Sequence, residues 1–135
     1  MNTATARYAG HLRTEATHVA SGTLIQTDAP VDNHGRGEAF SPTDLVSAAL
    51  GSCMMTIMGI VAERHGWDLV DATWAVTKHM SPEPPRRIAQ VDVTFELPAA
   101  LAPADRTVLE RAALTCPVAL SLHPDIRQNV VFGYR

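Results

Sequence analysis

One segment limits the folds open to this chain more than any other. It is the run from Leu45 to Ala62, LVSAALGSCMMTIMGIVA. The run is too long for a strand and approaches the roughly 20 predominantly apolar residues of a membrane-spanning helix. Ser47, Gly51, Ser52, Thr56 and Gly59 interrupt it, and Asp44 stands at its head. These breaks favour the core helix of a soluble protein, covered on most sides and in part by a partner subunit. Local chemistry marks its ends. Ser41 can cap, Pro42 suits the first helical position, and Asp44 falls at the acidic third position. The helix is expected to run to about Arg64 and to stop at His65-Gly66.

A helix this apolar needs other elements to cover it, and the flanks supply strands. Tyr8 to Gln26 mixes β-branched, aromatic and polar residues around Gly10 and Ser21-Gly22, which reads as two short strands joined by turns. Asp28 to Gly37 is rich in Asp, Asn, Gly and Pro and reads as a loop. Beyond the helix, Ala72 to Met80 alternates in strand fashion, and Ser81 to Pro85 is a proline-rich turn. Ile88, Val91, Val93, Phe95 and Leu97 then alternate with Asp92, Thr94 and Glu96, predicting a sheet with one wet face. Pro103 opens an amphipathic helix to about Leu114, Cys116-Pro117 breaks it, and Val130 to Tyr134 reads as a closing strand. The order of elements is that of an α+β domain.

The 135 residues, 46% hydrophobic and 19% charged, suit a single domain over residues 1–135 with a core that needs no staples. A net charge of −3 at pH 7 supplies no basic field for nucleic acid or for an anionic membrane surface. Met1 to Gly10 contains no apolar core of the secretory kind, so a cytoplasmic location with reduced thiols is expected.

Two thiols are the candidate chemistry. Cys53 lies inside the apolar helix with Val46, Leu50, Ile57 and Val61 on its face. Apolar surroundings disfavour a thiolate, so Cys53 needs a nearby cation to become a nucleophile. A buried cysteine acting as a small hydrophobe is the competing reading. Cys116 precedes a proline and is expected to cap the short segment that Pro117 begins, where exposed amides would lower a thiol pKa. Six histidines, His11, His18, His34, His65, His79 and His123, invite a metal reading, but none forms a paired ligand spacing. No Gly-x-Ser-x-Gly elbow or phosphate-binding glycine loop occurs. Met54, Met55 and Met58 are ordinary core fillers, or they soften a pocket for an apolar substrate.

Ser41-Pro42-Thr43-Asp44-Leu45 followed by Ala48-Ala49-Leu50-Gly51-Ser52-Cys53 resembles the helix motif of OsmC/Ohr proteins. Thr115-Cys116-Pro117-Val118 resembles the second cysteine motif of the same family, so the likeness covers nearly the whole chain. It implies an intertwined homodimer with antiparallel sheets and long central helices, and active sites at the subunit interface. It also implies that Cys53 is the peroxidatic thiol and Cys116 the resolving thiol. The cycle would take an organic hydroperoxide and a thiol reductant of dithiol or lipoyl type, with no metal, haem or flavin. Family members place an arginine in the N-terminal hairpin, and counting back from Ser21-Gly22 assigns Arg13, with Arg7 as fallback and His18 nearby. Hydroperoxide-resistance members commonly carry Glu after the helix-starting proline, where this chain has Thr43. Asp44 and Glu38 are the substitutes considered, and the wording Gly37-Glu38-Ala39-Phe40-Ser41-Pro42 is closer to the general OsmC-like branch. A pocket lined by Met, Leu and Phe40 would favour organic hydroperoxides over hydrogen peroxide. The competing function is a non-catalytic dimer of the same fold that binds a small apolar ligand.

Overall fold

Reciprocal capping starts the helix that dominates the chain, α1 (Pro42–His65). Asp44 N–H donates to Ser41 Oγ and Ser41 N–H donates to an Asp44 carboxylate oxygen, each at 3.0 Å. Two orphan amides are thereby satisfied before the first turn closes. Gly66, at φ 72°, stops the helix in the left-handed region, at the His65-Gly66 pair where the sequence sets its end. The computed structural model describes residues 1–135, which fall into two compact units, residues 1–46 and 47–135.

The first unit contains β1 (Ala4–Gly10), β2 (Arg13–His18) and β3 (Leu24–Asp28), paired antiparallel in the order β1-β2-β3. Two strands were expected here, and there are three. Residues Ala4 to Tyr8 are all exposed, so β1 has no buried side to write an alternation into the sequence. His11 and Leu12, both at positive φ, turn β1 into β2. In the following loop a single 3₁₀ turn, Val31–Asn33, precedes Gly35. A Cβ at residue 35 would stand 1.7 Å from the Ala29 carbonyl oxygen, so only glycine lets the loop fold back on itself.

The second unit takes the rest of α1, then β4 (Thr73–Met80), β5 (Ile88–Leu97), α2 (Pro103–Leu114), α3 (Pro117–Ser121) and β6 (Arg127–Tyr134). Its sheet order is β4-β5-β6. β4 and β5 are antiparallel as expected, but β6 lies parallel to β5, so this sheet is mixed. The reason is the connection: α2 and α3 carry the chain back to the starting end of the sheet, as a parallel crossover must. Leu50, Met54, Met58 and Ala62 of α1 share one buried cluster with Val91, Val93, Phe95 and Leu97 of β5 and Leu109 and Ala113 of α2. Met54 and Met58 are therefore core fillers. By length and a mean hydropathy of 2.0, α1 would pass for a membrane span, yet this face is the core of the unit.

Gly51 sets how closely α1 meets β4, because a Cβ there would lie 2.9 Å from Val76 Cγ2 and 3.0 Å from the Trp74 indole. Tyr134 fastens β6 to α2. Its hydroxyl donates to Glu110 at 2.6 Å, and the Arg106 guanidinium lies 4.1 Å from its ring centroid. Burial, and then the Glu110 carboxylate, push the Tyr134 phenol up. On the wet side of the sheet, Asp92 accepts from Gln90 at 2.6 Å and from Asn129 at 3.1 Å, and pairs with His79 at 2.6 Å. These bonds, that from Gln90 foremost, hold the Asp92 carboxyl at about 2.

Two outcomes follow. Gly51→Val should destabilise the protein by about 2 kcal/mol, the usual scale of overpacking, seen as a lower melting temperature. The depressed Asp92 carboxyl contributes stability that is complete above about pH 4 and lost as pH falls toward 2. The melting-temperature gap between wild type and Asp92→Asn should therefore be widest near neutrality and close in acid.

Candidate functional site

The two thiols meet in the second unit. Cys53 sits on α1 three residues after Leu50, on the flank of the buried stripe, and is half-buried against the core. Cys116 reaches the same place from the crossover, where it is fully buried as the cap of α3. Its backbone is extended (φ −66°, ψ 154°), and Pro117 occupies the first helical position. Its Sγ accepts the Ala119 N–H at 3.4 Å. Cys53 packs against the buried cluster that contains Cys116 and acts on its thiol as a neighbouring group, and both are free thiols.

The cap geometry is the expected one, but its electrostatic consequence is reversed. Burial pushes the Cys116 thiol up, and its contact with Cys53 adds to the effect. The opposing Ala119 amide is too weak to restore it. A cap amide in a dry pocket does not replace the lost water.

The first unit builds a separate charged constellation around Arg13. The β2–β3 register sets Arg13 directly opposite Asp28. Arg13 Nε donates to Asp28 Oδ1 and Arg13 Nη2 to Oδ2, both at 2.7 Å, the forked geometry that suits a guanidinium and a carboxylate. Asp28 is fully buried, and the hydrogen bond from Arg13 holds its carboxyl below the usual range. Asp28 in turn holds Arg13 more firmly protonated. The Glu38 carboxylate lies farther out, 3.8 Å from Arg13 Nη2 and largely exposed, while its backbone N–H donates to Asp28 Oδ2 at 3.1 Å.

Of the carboxylates weighed from sequence, Glu38 belongs to this network, whereas Asp44 is engaged in capping α1. Asp28 was missed. A signal existed in the β2–β3 hairpin, whose register pairs residues 13 and 28, but it needs the strand ends to be known first. Arg7 pairs with Glu15 across the exposed face at 3.1 Å, and His18 Nδ1 lies 2.6 Å from Ser21 Oγ in the turn.

A family model described as OsmC-like protein matches residues 35–130. Among solved structures, a candidate osmotic stress induced and detoxification response protein from Psychrobacter arcticus 273-4 is 47% identical, with a TM-score of 0.94. That match covers 98% of this chain and 96% of the other. An organic hydroperoxide resistance protein OsmC from Legionella pneumophila is 16% identical over 98% of each chain, with a TM-score of 0.75. A candidate organic hydroperoxide resistance protein from Vibrio cholerae, with captopril bound in one of its active sites, is 17% identical. It covers 98% of this chain and 92% of the other, with a TM-score of 0.74. The likeness to the latter two is one of fold. None of the curated proteins matches the chain.

The difference in burial between the two thiols predicts an order of reaction. In reduced protein at pH 7.5, mass spectrometry should find iodoacetamide on Cys53 well before Cys116. Equal labelling of both would contradict the burial of Cys116.

Proposed function

The chain belongs to the OsmC-like protein family, and from that membership we propose that it reduces organic hydroperoxides through a Cys53/Cys116 dithiol–disulfide cycle. The carrying observation is that two cysteines far apart in sequence are neighbours at one core, Cys53 packed against the cluster that contains Cys116. In the first step the Cys53 thiolate attacks the outer peroxide oxygen and the O–O bond breaks. Sulfur is oxidised to a sulfenic acid, and the alkoxide leaves as an alcohol after taking a proton. The Cys116 thiol then attacks that sulfenic sulfur. The S–S bond forms, and the sulfenic oxygen departs as water. A dithiol reductant, of lipoyl type or similar, opens the disulfide and is itself oxidised.

In this reading Cys116 is a resolving thiol and has no need of a standing thiolate, which suits its burial and its raised pKa. Arg13 supplies the cation that favours the Cys53 thiolate and steadies charge on the peroxide oxygens. Glu38 is the outer carboxylate of the same network. The protein works as a homodimer in the cytoplasm, and residues 1–135 act as one OsmC-like domain. In support of a dimer, only 33% of the apolar α1 window is buried by its own chain, and Val46 and Ile60 are exposed. An apolar peroxide tail gains burial that hydrogen peroxide cannot, so organic hydroperoxides are the preferred class.

Mixing reduced protein with one equivalent of cumene hydroperoxide and counting thiols tests the cycle. Wild type should lose both thiols rapidly and form an intramolecular disulfide. Cys53→Ser should abolish the reaction, and Cys116→Ser should stall at a sulfenic acid. Arg13→Ala should slow it by about 100-fold, the scale of losing one charge-stabilising donor. Survival of both thiols for many minutes would sink the peroxidase reading in favour of ligand binding.

A further inference from the structure

Resting on the peroxidase reading above, we propose that Asp28 is the positioning residue of this site, fixing the Arg13 guanidinium for reaction. Both Asp28 oxygens are committed: Oδ1 to Arg13 Nε, and Oδ2 to Arg13 Nη2 and the Glu38 N–H. The residue that carries them is fully buried and is itself held in the strand by its N–H donating to the Phe40 carbonyl at 3.1 Å. One edge of the guanidinium is thus clamped in plane. The other edge, Nη1, makes no hydrogen bond within the protein, and the Arg13 side chain keeps 21% of its surface open. A clamped cation with one free donor edge is suited to meet an anion without reorganising.

Asp28 thereby supplies the carboxylate that faces Arg13 from strand β3. Glu38 contributes mainly through its amide, which reaches Asp28 because Gly35 lets the loop fold back. An asparagine cannot replace Asp28. In either orientation its amide NH₂ would face an N–H donor, Arg13 Nε on one side or Arg13 Nη2 and the Glu38 amide on the other.

The test is a double-mutant cycle on the full-length protein, with cumene hydroperoxide as substrate and a dithiol as reductant. Wild type, Asp28→Asn, Arg13→Ala and the double variant are compared. Asp28→Asn should lower kcat/KM by about 100-fold, the usual consequence of misplacing a reacting group by an ångström, with the loss falling on kcat. Because Asp28 acts through Arg13, adding Asp28→Asn to Arg13→Ala should cost no more than about twofold. A full further loss in that background would make Asp28 merely structural and overturn the proposal. Asp28→Glu keeps the charge and guards against a variant that fails to fold. Its longer side chain should displace the guanidinium and reduce the rate at least tenfold, and a folded Asp28→Glu with the wild-type rate would also overturn the proposal. A wild-type protein without peroxide turnover would overturn the function itself, and this inference with it.

Discussion

Burying one face of α1 is the constraint on which the second unit is organised. Leu50, Met54, Met58 and Ala62 recur at helical spacing and reach essentially zero exposure only because β5 and α2 supply matching apolar residues. Each fully buried side chain of this size is worth roughly 1.5–3 kcal/mol, far more than the propensity of any single position. Gly51 brings β4 close at the same level. Once that face is fixed, Cys53 can only stand at its flank, half-buried and facing the place where the crossover returns. The placement of Cys53 is thus a by-product of helix rotation, which leaves one thiol at the margin of a strongly apolar helix.

The same packing decides which influence governs Cys116. A helix cap and a neighbouring amide favour negative sulfur, and both are present. Removing the sulfur from water works against them and prevails. The two cysteines therefore differ in environment before any chemistry begins, one accessible and one enclosed. In the cycle proposed here that asymmetry separates attacker from resolver.

Much of this was legible in the sequence, for identifiable reasons. α1, β5 and α2 fall where capping residues and periodicity set them, because each has one buried face and a chemical punctuation at its ends. β1 was illegible before Tyr8, since an exposed strand leaves no alternation. The direction of β6 was missed because side-chain alternation is the same in parallel and antiparallel pairs, although the intervening helices favour a crossover. The thiol pair was readable as two motifs but not as a contact. Asp28 looked like the first residue of a loop, and only the β2–β3 register makes it the partner of Arg13. Pairing across a hairpin depends on where both strands end, the least locally encoded property of a chain.

The Arg13–Asp28 rung also marks where durability and a retained charge compete within the hairpin. A buried ion pair often contributes less to stability than two apolar residues of the same volume, because both charges must first be stripped of water. Selection for a sturdier hairpin alone would tend to replace the rung with a greasy pair, and the β2–β3 backbone ladder would survive the exchange. Thermostabilisation of this protein by consensus or core redesign should therefore leave residues 13 and 28 alone, since a gain in heat resistance at that rung would be bought with the cation itself.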